Sequence, residues 1–310
     1  MQWGNIKTVF ILCFLVLDVF LLWQFMEKQK QADISVLEEQ NSSIESQLEA
    51  ENITIGDIEI ETTEEPYISV HPKNFTEEEV GLLGAKEGVQ AEMVSDNLIA
   101  GRFEEPIPLP ANVEKEDIEE MVRPYVFNPG EYTFWEWDEE LNALIFFQKK
   151  NDRPIYYNQS ALLIVYLNDQ DEMTFYTQTM LGEAEIQENN QTMIQPRRAV
   201  EILYNRGALY PEDEVSDMSI GYLTRVPLED GVQVFAPTYN ITVTNESGER
   251  KFLVNALEGI QSTVNDEFYQ EFIQNSLVNI NTLNEDNEMK EPLLNLLNGK
   301  LQEENRSETE

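Results

Sequence analysis

The chain has 310 residues, 41% of them hydrophobic and 10% aromatic, with a formal net charge of -39 and a pI near 4.1. That length admits a membrane segment plus roughly one or two folded domains, and the apolar content excludes a chain disordered throughout. Acidity this strong repels nucleic acid and anionic headgroups, while a single histidine, His71, and a single cysteine, Cys13, exclude a disulfide scaffold and most zinc sites.

Ile6 to Phe25 is a run of 20 residues, enough to cross a hydrocarbon core of ~30 Å as a helix. Its fourteen Ile, Leu, Val and Phe residues at about -0.4 kcal/mol each outweigh one Asp at about +3 kcal/mol, so insertion is favourable despite Asp18. No small-x-small cleavage site follows Trp23-Gln24-Phe25-Met26, which favours an uncleaved anchor over a signal peptide. Trp3 and Trp23 bracket the run as interfacial aromatics. Positive charge is nearly balanced across it, with the amino terminus and Lys7 against Lys28 and Lys30, so charge leaves orientation open. An acid at membrane depth faces a partner helix or snorkels to the interface. Phe14, Leu17, Asp18 and Leu21 share one helical face and are the candidate transmembrane contact.

Ile34, Leu37, Asn41, Ile44 and Leu48 take alternating a and d positions of about two heptads, which reads either as a helical stalk or as an acidic linker. Pro66 closes that stretch. Thr76-Glu77-Glu78-Glu79 is a capping box opening a helix through Val80, Leu82 and Leu83. Ile118, Met121, Val122 and Tyr125 space a second helix, and Pro196 starts a third with Ala199, Ile202 and Leu203 inward and Gly207 as its stop. Strands are expected at 132–137, 143–148, 161–167 and 173–180, then at 219–225, 232–235, 239–244 and 251–255, with Asn245-Glu246-Ser247-Gly248 as a hairpin turn.

The expected fold is therefore α+β: a single N-terminal transmembrane helix followed by two similar antiparallel-sheet-plus-helix units. The divisions are an anchor at 1–26, a stalk or linker at 27–65, units at 66–158 and 159–263, and an acidic, partly disordered tail at 264–310.

No catalytic, cofactor-binding or metal site is expected. Glycine-rich phosphate loops are absent from the sequence, and 59 acids make close carboxylate pairs such as Glu136 with Asp138 a matter of chance. Strict alternation places the rings of Trp135 and Trp137 on one strand face, as sheet core, an interface or a sugar-stacking surface; both are candidate interface aromatics.

Trp3, Ile6-Lys7-Thr8-Val9-Phe10-Ile11 and Phe14 to Leu22 resemble the opening of the YycI family. Supporting likenesses are Arg153-Pro154-Ile155-Tyr156, Phe175-Tyr176-Thr177-Gln178-Thr179, Gly221-Tyr222-Leu223, Ala236-Pro237-Thr238-Tyr239 and Val254-Asn255-Ala256, with Tyr239 where tryptophan is expected. The resemblance implies a non-enzymatic, single-pass cell-membrane protein, cytoplasmic at its N-terminus and extracytoplasmic beyond. Implied partners are a YycH-like protein and the WalK (YycG) sensor histidine kinase of a two-component system controlling cell-wall metabolism. A wall-acting enzyme using a carboxylate such as Glu136, or a ligand sensor using the aromatic face, are the alternatives.

Overall fold

The computed structural model describes residues 12, 14, 15, 17, 18, 20, 21, 44–56, 58, 60, 64–110, 113–227 and 231–307. Among them the fold is α+β, with fourteen strands linked into one largely antiparallel sheet and helices laid on its faces. Residues 12, 14, 15, 17, 18, 20 and 21 are helical and include the candidate contact residues, but most of the expected anchor lies outside the described residues. No helix among the described residues is long and apolar enough to cross a membrane.

The first half of the sheet is built from β3 (Val89–Ser95), β4 (Leu98–Pro108), β5 (Tyr132–Asp138), β6 (Ala143–Lys150), β8 (Leu162–Leu167) and β9 (Glu172–Gln178), in the order β3-β4-β9-β8-β6-β5. Every residue of β8 is buried, because the strand is covered on both faces and therefore reads as a continuous apolar run. On one face, Leu144, Phe146, Leu163 and Val165 pack under α2 (Glu77–Gly84) and α3 (Lys115–Val122). The opposite face presents Ala143, Ile145, Phe147, Leu162, Ile164 and Tyr166. The period of two that separates these sets is the strand pleat itself.

The second half holds β2 (Glu64–Pro72), β10 (Leu181–Thr192), β11 (Glu214–Pro227), β12 (Gln233–Asn245), β13 (Gly248–Asn255) and the two-residue strands β1 (Thr54–Ile55) and β14 (Gln261–Ser262). Helix α1 at 44–50 and α4 (Pro196–Asn205) cover Val215, Tyr239, Ile241, Val243 and Val254. Short β7 (Arg153–Tyr156) joins the halves, antiparallel to β6 through Lys149↔Pro154 and parallel to β11 through Tyr222↔Ile155.

Local signals hold where chemistry is local. Thr76 Oγ1 accepts from Glu79 N at 3.2 Å and Thr76 N donates to Glu79 Oε2 at 3.0 Å, so the capping box is formed at the start of α2. Gly207 follows α4 at φ 68, a left-handed conformation that glycine adopts without a Cβ clash. The Asn245–Gly248 turn closes the β12–β13 hairpin.

Strands β1, β2, β3, β4, β7, β10 and β14 are not among those expected, and the arrangement differs from the expected layout in three further respects. The strands expected at 232–235 and 239–244 are one strand, β12, continuous through Pro237. The expected boundary at 158/159 does not coincide with a division of the sheet: β8 and β9 pair with β6 and β4, and the chain returns to the second half at β10. The expected tail folds as α5 (Phe268–Asn281) and α6 (Lys290–Ser307), whose Phe268, Phe272, Ile273, Ile280, Leu293 and Leu297 lie on the open face of the first half. Ile44 and Leu48 of the heptad pattern are likewise committed to the α4 layer; Ile34, Leu37 and Asn41 lie outside the described residues.

Candidate functional site

Strand β5 carries the tryptophans, and a bulge decides where they point. Phe134 pairs with Phe146, yet Glu136 pairs with Ile145, leaving Trp135 as the extra residue. An extra residue shifts the pleat by one, so the alternation that would have put both rings on one face is broken. Trp135 packs with the face under α5 and α6, while Trp137 packs on the α2–α3 side and donates Nε1 to Asn142 Oδ1 at 3.3 Å. The shared aromatic face expected from alternation is corrected accordingly.

The bulge also turns Glu136 into a junction. Lys251 Nζ of β13 lies 2.9 Å from Glu136 Oε2, and the Tyr269 hydroxyl of α5 donates to Glu136 Oε1 at 3.0 Å. One carboxylate thus ties together the first half of the sheet, the second half and the C-terminal helices. With both oxygens engaged by structural partners, Glu136 serves as a fastening point. Burial, and then the Glu136 charge, hold the Tyr269 phenol well above its ordinary pKa, so it stays a proton donor to this bond.

Aromatic rings fill the space beside the junction. Trp135 lies 5.0 Å from Phe147 and 5.3 Å from Tyr156, centroid to centroid, and Lys251 Nζ sits 4.9 Å from its ring centre. Its faces are taken by protein, which removes the sugar-stacking surface that the sequence left open. Tyr157 inserts between Trp135 at 6.3 Å, Phe147 at 5.2 Å, Phe268 at 5.6 Å and Tyr269 at 6.3 Å. To do so its backbone takes φ 45, a left-handed conformation costly for a bulky side chain. The next residue anchors that turn: Asn158 Nδ2 donates to Thr224 Oγ1 at 2.7 Å and Gln233 Oε1 at 2.5 Å, and its Oδ1 accepts from Ser160 N.

Tyr157, Lys251 and Tyr269 were absent from the sequence-derived candidates. The Tyr156-Tyr157-Asn158 triplet after an arginine-proline strand was the available signal for the first; nothing local marks the other two. The remaining candidates, Phe14, Leu17, Asp18 and Leu21, share one helix face and are exposed. The structure does not bring them together with Trp135 or Trp137.

Elsewhere, a groove of about 500 Å³ lies beside the start of α4, lined by Ile55, Ile58, Ile60, Val200 and Met218 with Gln195 and Arg197 as its polar residues. Arg197 is paired with Glu45 of α1. Among the described residues no cluster of three or more His, Cys, Asp or Glu side chains could hold a metal ion.

The junction at Glu136 is built from an ion pair, a tyrosine hydroxyl and packed rings. Residues 31–257 match the family model described as YycI protein, and the chain belongs to the YycI family. It is thereby a regulatory accessory protein of the YycG/WalK kinase system, from a family of membrane-anchored accessory proteins. No curated protein matches the sequence. Among solved structures, an uncharacterized protein from Eubacterium rectale ATCC 33656 is similar at 11% identity and a TM-score of 0.42, over 69% of this chain and 91% of that one. The Bacillus megaterium YpeB C-terminal domain is similar at 11% identity and a TM-score of 0.34, over 64% and 88% respectively.

Proposed function

We propose that this chain is a single-pass accessory regulator whose N-terminal helix contacts the membrane helices of WalK (YycG) and whose folded region, outside the cell, binds a YycH-like protein. The carrying observation is the family match over 31–257, set behind an apolar N-terminal run long enough to span. Phe14, Leu17, Asp18 and Leu21 form the face turned to the kinase, since an acid in that setting is stabilised by a polar partner and the neighbouring apolar side chains pack against a helix. The regulator acts by binding one kinase state better than the other. A differential contact of about 1.4 kcal/mol shifts such an equilibrium tenfold, which one buried hydrogen bond between helices approaches.

The test is membrane co-purification of the full chain with WalK and YycH, beside Asp18→Leu and a chain lacking residues 1–26. Recovery of both partners by the full chain, with the kinase lost on deletion and reduced for Asp18→Leu, is the expected result. Failure to recover either partner under conditions that preserve other membrane complexes would overturn the reading.

A further inference from the structure

Strand β10 is an end of the sheet: it pairs antiparallel with β2 and, among the described residues, with no other strand. Alternate residues of β10 therefore turn their N–H and C=O groups outward, away from β2. Between the register shifts at Leu181/Ala184 and Gln187/Gln191 the pairing is regular, with Ala184 to Gln187 opposite Val70 to Tyr67. Over that span the edge is open. Glu185, Ile186 and Gln187 are consecutive and all exposed, so water reaches both faces of the strand as well as its rim.

The two faces of this edge differ in chemistry. Ala184 and Ile186 lie opposite Val70 and Ile68, so they continue the apolar face on which Ile68, Val70, Tyr222 and Phe235 are buried. Ala184 packs against that cluster, whereas Ile186 is 66% exposed. Glu183, Glu185 and Gln187 take the other face, where Gln187 Nε2 donates to Ser69 Oγ at 2.7 Å and both acids are exposed. An isoleucine in water beside outward-facing backbone groups and two exposed acids is half of a strand contact.

We propose that the outer edge of β10 is a strand-addition site, and that its occupant is an extended segment of a partner protein in which basic and apolar residues alternate. The apolar side chains of that segment extend the row from Ile68 through Ile186, and its lysines or arginines meet Glu183 and Glu185. Backbone bonds to β10 supply affinity, and the alternation supplies register. A second copy of this chain is the wrong occupant, because pairing β10 with itself brings the acids of both copies onto one face, where like charges repel. The acids thus act as a selector, blocking self-association while favouring a positively charged strand. The inference is independent of the contacts proposed for the N-terminal helix.

The probe is a synthetic peptide of about eight residues in which lysine and valine alternate. Its companions are the same residues arranged as a lysine block and a valine block, the alternating peptide N-methylated throughout, and an alternating glutamate and valine peptide. Binding to the full-length chain is followed by hydrogen exchange of the β10 amides. The alternating lysine peptide is expected to protect amides within 183–187 and to bind roughly tenfold more tightly than its block and N-methylated forms. Ile186→Lys should lose that protection. Glu183→Lys with Glu185→Lys, at exposed positions and hardly altering a net charge of -39, should transfer the preference to the glutamate peptide. Retained protection of β11 and β12 checks that both variants are folded. Equal binding of the three lysine peptides, protection away from β10, or a double variant that still prefers lysine would each mean attraction to the acidic surface alone and overturn the strand site. Absence of binding overturns it too, and leaves the regulatory reading standing.

Discussion

The two helical layers on this sheet are fastened by different means. The α4 layer lies inside the family segment and is tied by directional polar contacts. Tyr204 donates to Glu51 Oε1 at 2.9 Å, Tyr239 donates to the Ile194 carbonyl at 2.7 Å, and Arg250 grips buried Asp213 at 2.5 Å while its Nη1 donates to the Ala208 carbonyl. The α5–α6 layer lies outside that segment and is held chiefly by apolar side chains, with Tyr269 to Glu136, Asn275 to Gln159 and buried Lys300 to the Asn142 carbonyl among its polar ties. Directional bonds fix a register, whereas apolar contact tolerates exchange of one covering helix for another. The difference is one of proportion: the α4 layer joins apolar packing to polar ties around a buried carboxylate, whereas the α5–α6 layer leans more on apolar packing.

The sharpest way to break this comparison is a matched pair of truncations. Leu203 of α4 and Leu293 of α6 are both fully buried, and replacing either with alanine costs about 2–5 kcal/mol. Leu203→Ala is expected to lower the unfolding midpoint of the whole domain, while Leu293→Ala separates an early transition confined to the hairpin. A single lowered transition for both, followed by calorimetry and hydrogen exchange, would mean the layers are equivalent.

A smaller effect is expected at the joint beneath both layers. A Cβ at Gly221 would meet the Pro154 carbonyl oxygen and the Tyr156 ring at 2.4 Å, where β11 meets β7. Gly221→Ala should destabilise by about 1–3 kcal/mol and loosen the two layers together, read as a fall in midpoint without separation of transitions.

Acid should distinguish the layers next. Burial alone would raise the Asp213 pKa, but bonds from the Tyr210 amide, Arg250 and Asn245 outweigh it and hold the carboxyl below its ordinary range. A depressed folded pKa contributes stability above the unfolded value, near 3.9, and that contribution is lost as pH falls through the folded value. Denaturant midpoints taken downward from pH 6 should therefore fall for the α4 layer. Asp213→Asn should cost about 1–3 kcal/mol at pH 7 and flatten that dependence.

The mildest perturbation is Tyr269→Phe, which removes the donor to Glu136 and keeps the ring. About 0.5–1.5 kcal/mol of hairpin closure is expected to go, seen as faster exchange in α5 with β11 and β12 unchanged. Equal loss of protection in β11 would show that Glu136 holds the halves of the sheet through Tyr269 rather than through Lys251.

How much of this was legible follows the range of the chemistry. The capping box at Thr76, the stop at Gly207 and the buried runs of β6 and β8 are each set by neighbours within a few residues, and they stood in the sequence. The bulge at Trp135 did not, because an inserted residue is defined by its partner strand, and a slip of one residue reverses every side chain after it. Strand β10 hid because Glu183, Glu185 and a run of Asn and Gln suit an exposed sheet edge and carry no apolar alternation. Helices α5 and α6 hid under Asn- and Glu-rich composition, although Phe268, Phe272 and Ile273, and later Leu293 and Leu297, keep helical spacing. The candidate site was legible in Trp135 and Glu136 alone; Lys251 and Tyr269 reach it from 115 and 133 residues away.

The pairing of β2 with β10 has a consequence for how the molecule is made. Leu181 lies opposite Pro72, and the Lys73 amide donates to the Met180 carbonyl at 2.8 Å, so the stretch from Lys73 to Met180 starts and ends at one point of the second half and meets it again through β7. That stretch carries its own strands, but one face of them is covered only by α5 and α6, which are made last. The half that contains β2 must wait: its first long strand is synthesised early, yet its neighbours β10 and β12 arrive only after that stretch has been completed. Closing so long a loop adds entropy only logarithmically with length, but it places the slowest pairing late. Until then β2 is an unsatisfied edge, which makes the interval between its synthesis and the arrival of β10 the point at which this protein is most open to misassociation.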